Sequence, residues 1–145
     1  MKEIRPYERR VNYYETDKMG IVHHSNYIRM LEESRCDFLE QAGVSYFRIE
    51  ELGLMIPVLN VESKFIKPLK FGDTFTVYTS VTKFNGVRLE MSYRILNSET
   101  NVLCCEAKSS HCFTDENLKP ISIKLKYPDI YKVFLDYLNY EISMT

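Results

Sequence analysis

An α+β fold is predicted, on three observations. A single long apolar stripe at helical spacing lies in the first third of the chain, and a run of alternating, strand-like segments follows it. No internal repeat, low-complexity tract or Pro/Gly-rich linker separates the two. One long helix can cover one face of the sheet that such strands build, and 145 residues suffice for one core, so a single domain is expected over residues 1–145. Many α+β domains share the order strand, long helix, antiparallel strands, and the order alone selects none of them.

The elements follow in sequence. Residues 5–15 read as extended, since Val11 and Tyr13 alternate with polar neighbours and Tyr7, Tyr13 and Tyr14 favour strands. A loop from Thr16 to about His24 has Gly20 as its most permissive point. Ser25 or Asn26 is the expected N-cap of the long helix, in which Ile28, Leu31, Arg35, Phe38, Leu39 and Ala42 recur at spacings of three and four. Gly43 ends it, and a shorter helix over 45–52 ends at Gly53. Residues 54–68 carry Ile56, Val58, Val61, Phe65 and Ile66 as a strand, and a turn at Phe71-Gly72-Asp73 leads into the alternation of Phe75, Val77, Thr79 and Val81. Asn85-Gly86 signals a hairpin with a type I′ turn, after which Val87, Leu89, Met91, Tyr93 and Ile95 alternate again. A turn over 98–101 and a last strand over 102–113 complete the sheet. A final helix over 127–140 carries Ile130, Val133, Phe134, Tyr137 and Leu138.

Composition excludes several classes. Hydrophobic residues at 45% and charged residues at 27% are ordinary for a folded protein and argue against disorder. Nineteen basic residues against twenty acidic ones leave a net charge of −1, so no broad nucleic-acid footprint is expected. The cysteines, Cys36, Cys104, Cys105 and Cys112, lack the C-x-x-C spacing of a zinc or redox site, and the adjacent pair faces opposite sides of a strand. Buried free thiols in a reducing compartment are the expectation. Residues 1–10 are charged and contain no apolar run suited to a signal peptide, and no stretch approaches the ~20 apolar residues of a membrane span, which together predict a cytoplasmic protein.

The chemistry is concentrated in residues 11–27, Val-Asn-Tyr-Tyr-Glu-Thr-Asp-Lys-Met-Gly-Ile-Val-His-His-Ser-Asn-Tyr. Here a strand ending in Tyr-x-x-x-Asp runs into a Gly-containing loop, a histidine, and an Asn-Tyr pair that opens the long helix. The matching positions are Tyr13, Asp17, Gly20, His24, Asn26 and Tyr27. This pattern resembles the signature of the 4-hydroxybenzoyl-CoA thioesterase family and, within it, the YbgC-like acyl-CoA thioesterases. Residues 30–39 look like the family's central helix and 65–73 like its mid-sheet strand and turn, so the resemblance covers about residues 5–114.

The resemblance implies a hotdog fold, an antiparallel sheet wrapped around a long central helix, assembled as a homodimer or homotetramer with the active site at the interface. It implies hydrolysis of an acyl-coenzyme A to free acid and CoA, with no cofactor. A thioester carbonyl needs an attacking oxygen, a polarising group and a hold on the thiol. Asp17 can supply a carboxylate that attacks or that activates water. Amides of the Gly20, Ile21 and Val22 loop, beside a helix N-terminus, suit an oxyanion. His24 and Tyr13 are expected to assist catalysis, Asn26 and Tyr27 to set the helix start and touch substrate. One histidine and one aspartate without further spaced ligands imply no metal. Lys64, Lys67, Lys70 and Arg88 are candidates for the phosphates of CoA.

Each residue type also has a plainer role. An Asp at Asp17 often caps a turn, a strand tyrosine such as Tyr13 is often core, and surface lysines are common. His23 reads as a surface or interface histidine, His111 as structural, and Glu32 and Glu33 as a solvated or interface helix face rather than a second catalytic carboxylate. The double histidine at 23–24 departs from the family, whose first position there is commonly aromatic or apolar. Two other functions share the fold: an acyl-CoA-binding module without turnover, and an acyl-thioester hydratase or dehydratase. The latter is built around a different, histidine-centred pattern that is absent here.

Overall fold

The computed structural model describes residues 1–144. Its five strands are β1 (Tyr7–Arg10), β2 (Val58–Phe65), β3 (Thr74–Phe84), β4 (Arg88–Asn97) and β5 (Leu103–Cys112). They form one antiparallel sheet in the order β1-β3-β4-β5-β2. Helices α1 (Ser25–Ala42), α2 (Tyr46–Glu51), α3 (Ile123–Lys126) and α4 (Pro128–Asp136) complete the fold, with a 3₁₀ turn at Tyr13–Glu15. The α+β class and the hotdog arrangement, a sheet around the long α1, are both as expected.

Alternation decides which face of the sheet meets α1. Phe75, Val77, Thr79 and Val81 of β3, Leu89, Met91, Tyr93 and Ile95 of β4, and Cys105 and Ala107 of β5 are all buried. Against them α1 sets Tyr27, Met30, Leu31, Ser34, Arg35, Phe38 and Leu39. The buried line is therefore shifted from the one expected. Ile28, counted in the stripe, is half exposed, and Tyr27 and Met30 take the places facing the sheet. Arg35 does lie in the buried face, its Nη1 donating to the Tyr93 hydroxyl at 3.1 Å.

Three local expectations are corrected. Residues 5–15 are not one strand: pairing with β3 stops at Arg10, Val11 is buried, and Tyr13–Glu15 coil into the 3₁₀ turn, leaving Tyr13 and Tyr14 exposed. Neither Ser25 nor Asn26 caps α1. The helix starts at Ser25, and the His23 ring accepts the Ser25 amide through Nδ1 at 3.2 Å. The β3–β4 hairpin is present without a type I′ turn, because positive φ occurs at Gly86 (92°) and not at Asn85. Asn85 Oδ1 instead accepts the amides of Val87 and Arg88 at 2.9 and 2.7 Å. Gly86 has a tertiary reason too, since a Cβ there would lie 3.2 Å from the Tyr131 ring.

The C-terminal helices close one end of the core. Phe134 of α4 stacks on Phe84 at 5.2 Å and meets Phe113 edge-on at 5.4 Å, while Tyr137 meets Phe38 of α1 at 5.6 Å. The expected single helix over 127–140 is shorter, running from Pro128 to Asp136, with Pro128 at its first turn. All four thiols are free, but Cys36 is exposed rather than buried, because it falls beside Arg35 and off the buried line of α1. No helix among the described residues is long and apolar enough to cross a membrane.

Candidate active site

The 16–24 loop is shaped by its own backbone. The Gly20 amide donates to the Asp17 carbonyl at 2.9 Å and the Asp17 amide to the Ile21 carbonyl at 2.8 Å, so the chain reverses over Lys18-Met19. Gly20 has φ 80°, a left-handed value that explains the glycine, since a Cβ there would touch nothing. The returning arm docks on the turn after β2, the Val22 amide donating to the Leu69 carbonyl at 2.8 Å. Its end is tied to the 3₁₀ turn: the Glu15 carbonyl accepts the His23 amide and the Asn26 side-chain amide, each at 2.8 Å.

This loop forms one wall of a cleft of about 340 Å³. Asp17, Met19, Ile21, Val22 and His24 line it from the loop, Tyr27 from α1, and Phe65, Ile66, Lys67 and Pro68 from the end of β2. The lining is mostly apolar, with one carboxylate, one imidazole and one ammonium. That is the usual make-up of a small-molecule site, in which a few polar groups fix orientation. Asp17 Oδ1 accepts the Met19 amide at 2.8 Å, so the turn-capping role holds as well. A carboxylate keeps further acceptor capacity after one such bond. The Tyr27 ring packs 5.1 Å from Phe65, and burial pushes its hydroxyl up to about 12, so it meets a ligand as a neutral phenol. His24 is exposed, 4.1 Å from the His23 ring and 6.4 Å from Phe65.

Loop amides were expected to be free donors, and most are not. Those of Gly20, Val22 and His23 are taken by the Asp17, Leu69 and Glu15 carbonyls. Among the described residues, the amides of Ile21 and His24 have no such acceptor. His24 stands at the N-cap of α1, where free amides and the helix dipole reinforce each other.

Of the residues singled out from the sequence, the fold brings together Asp17, Ile21, Val22, His24, Tyr27 and Lys67. Others lie elsewhere in this chain. Tyr13 is three-quarters exposed on the 3₁₀ turn, its ring edge-on to Phe71 at 5.3 Å, and does not line the cleft. Asn26 works as a tie to Glu15. Lys64 alternates with the cleft residue Phe65 and so points from the opposite face of the sheet, opposite Glu106. Lys70 is exposed in the turn before β3, its amide bound to Asp73. Arg88 pairs with Cys112, whereas the cleft end of β2 pairs with Cys105, which is seven residues back along β5, or roughly 24 Å at strand rise. Glu33 is not a solvated face residue, because Arg9 and Tyr7 both bond its carboxylate. Met19, Phe65, Ile66 and Pro68 were not anticipated as lining. Their only sequence signal was membership of apolar segments flanking Asp17 and Lys67.

Comparison with known proteins shows the family and the fold. The family model of the thioesterase-like superfamily matches residues 11–135. A Bacillus subtilis protein named "Putative acyl-CoA thioesterase YneP" is 37% identical over 82% of this chain and 86% of its own. The crystal structure of a DHNA-CoA thioesterase from Staphylococcus aureus superposes with a TM-score of 0.87 at 28% identity, over 91% of this chain and 89% of that one. A Thermus thermophilus protein, TT1821, superposes with a TM-score of 0.85 at 33% identity, over 92% and 98%.

Proposed function

The chain belongs to the thioesterase-like superfamily, and from that premise we propose that its acyl-CoA thioesterase activity is centred on Asp17. The observation that carries this reading is the cleft itself. Asp17 and an apolar wall meet there beside His24, whose backbone amide at the start of α1 has no backbone acceptor among the described residues. The thioester carbonyl oxygen sits toward the His24 amide, with the Ile21 amide as a second donor, and these stabilise the negative charge that develops on it. Asp17 either attacks the carbonyl carbon or takes a proton from the water that does. When water attacks, the carbon–sulfur bond breaks and Asp17 returns the proton to the departing CoA thiolate. When Asp17 attacks, the thiolate leaves and takes a proton from solvent, and a water then hydrolyses the acyl–aspartyl anhydride to release the acid and restore the carboxylate. The His24 ring assists at the mouth, Tyr27 and Phe65 hold the acyl group, and Lys67 supplies the positive charge for a phosphate of CoA. The substrate is free acyl-CoA or an acyl group on acyl carrier protein. Within the superfamily we place the chain with the YbgC-like enzymes, on Tyr13, Asp17, Gly20, His24, Asn26 and Tyr27.

A second copy completes the site. β2 is an edge strand, and its residues are exposed or half-exposed over its whole length. Val58, Leu59, Phe65 and Ile66 add apolar surface along it. An unprotected strand edge of this kind pairs readily with another strand. We take the assembly to be a homodimer joined through β2, or a homotetramer of two such pairs. The exposed Tyr13 would then face the partner. The free thiols support a reducing, cytoplasmic setting, and residues 1–145 act as one domain.

The test is thiol release from short, long and aromatic acyl-CoAs by the wild type and by Asp17→Asn. Turnover that falls at least about a hundredfold in the variant supports the assignment, in keeping with the loss of a general base or nucleophile. Binding without turnover in both proteins, on every substrate of the panel, would refute hydrolysis. Full activity in Asp17→Asn would retain the enzyme and remove Asp17 from its centre.

A further inference from the structure

Arg9 of β1 has all five guanidinium N–H groups engaged. Nη1 and Nη2 grip the two carboxylate oxygens of Glu15 at 2.8 Å each. Nε and Nη2 reach Glu33 of α1 at 2.7 and 3.1 Å, and Nη1 also donates to the Arg10 carbonyl at 3.0 Å. The guanidinium lies 4.9 Å above the Phe75 ring. Glu15 is nearly sealed from solvent, at 3% exposure, and accepts the Asn12 amide at 2.8 Å as well. Burial opposes its charge, but the bonds from Arg9 and Asn12 outweigh that, and its carboxyl titrates below the ordinary range.

The same residue anchors the site. The Glu15 carbonyl receives the His23 amide and the Asn26 side chain, so the far arm of the loop and the first turn of α1 hang from it. Asp17 is two residues further on. A buried ion pair adds little net stability compared with apolar residues of the same volume, while a two-pronged arginine–carboxylate pair fixes geometry tightly. The arrangement suits the second purpose.

We infer that Arg9, acting through Glu15, is a positioning residue that holds the Asp17 carboxylate and the His24 amide in mutual register. The inference rests on the assignment of Asp17 above. Displacing reacting groups by about 1 Å can cost up to about a hundredfold in rate without loss of binding.

The experiment compares wild type, Arg9→Lys and Arg9→Met/Glu15→Gln, with Ile130→Val in α4 as a remote variant of lowered Tm. The double variant leaves no unpaired buried charge at Glu15 and keeps an acceptor for the Asn12 amide. Three quantities are read: kcat, KM and hydrogen exchange at the Asp17 and His23 amides. The expected result is a kcat lowered about 10- to 100-fold with KM little changed. Exchange at those two amides should quicken in the Arg9 variants and stay as in wild type in Ile130→Val. Should the double variant not fold, the same readings are taken on Arg9→Lys. Wild-type kcat in a folded Arg9 variant, or unchanged exchange at both amides, would overturn the inference. A wild type that hydrolyses no acyl-CoA defeats the thioesterase reading instead, and the exchange measurement separates the two failures because it needs no turnover.

Discussion

His111 shows how far one side chain can be driven by its surroundings. It is 1% exposed on β5, with Nε2 2.7 Å from the Ser109 hydroxyl, which in turn meets the Tyr93 hydroxyl. Burial and the nearby Arg35 charge push its pKa down to about 4. The unfolded chain takes up this proton near the ordinary 6.5 and the folded chain only near 4, so the stability it confers is complete above 6.5. It drains away as pH falls from there toward 4, by up to about 1.4 kcal/mol per pH unit. Urea unfolding at pH 7, 6 and 5 should therefore decline more steeply for wild type than for His111→Gln. Parallel declines would contradict the shift. Residue types at the site were legible where spacing is rigid: Asp17, His24 and Tyr27 sit on one loop and the helix it opens. Arg88 was misplaced because adjacency in a hairpin says nothing about which end of the sheet a residue occupies.

Among the elements, α4 has the most measurable role. Phe134 is 1% exposed and packs with Phe84 and Phe113, so it seals the end of the core opposite the 16–24 loop. Phe134→Ala should cost about 3–5 kcal/mol in chemical denaturation. A loss below about 1 kcal/mol would show that α4 is only loosely docked. The strands were legible because a period of two is imposed by the pleat and reinforced on every strand facing α1. The path from Arg10 to Glu15 was not, because Tyr and Val favour strands locally while the Arg9–Glu15 bond bends the chain back after Val11. The cap of α1 was missed for a similar reason: the acceptor is a ring nitrogen of His23, outside the usual capping residues.

For the molecule as a whole, β2 is an exposed edge strand, and the proposed association runs through it. Sedimentation should give at least twice the chain mass, and Leu59→Glu, which sets a charge on that edge, should shift the protein toward monomer and lower its specific activity. A fully active monomer would remove the partner from the site.

What the sequence determined by itself was the α+β class, the single long helix, the hairpin at Asn85-Gly86 and the Tyr13–Tyr27 motif. All of these depend on contacts near in the chain, where periodicity and turn chemistry act. What only the tertiary structure decided was which groups meet. Lys67 reaches the cleft while Lys64 and Arg88 do not, Ile21 and His24 keep open amides while Gly20 and Val22 lose theirs, and Arg9 reaches both Glu15 and Glu33. These outcomes turn on strand register, sheet order and the docking of one loop, which long-range packing fixes and local sequence leaves free.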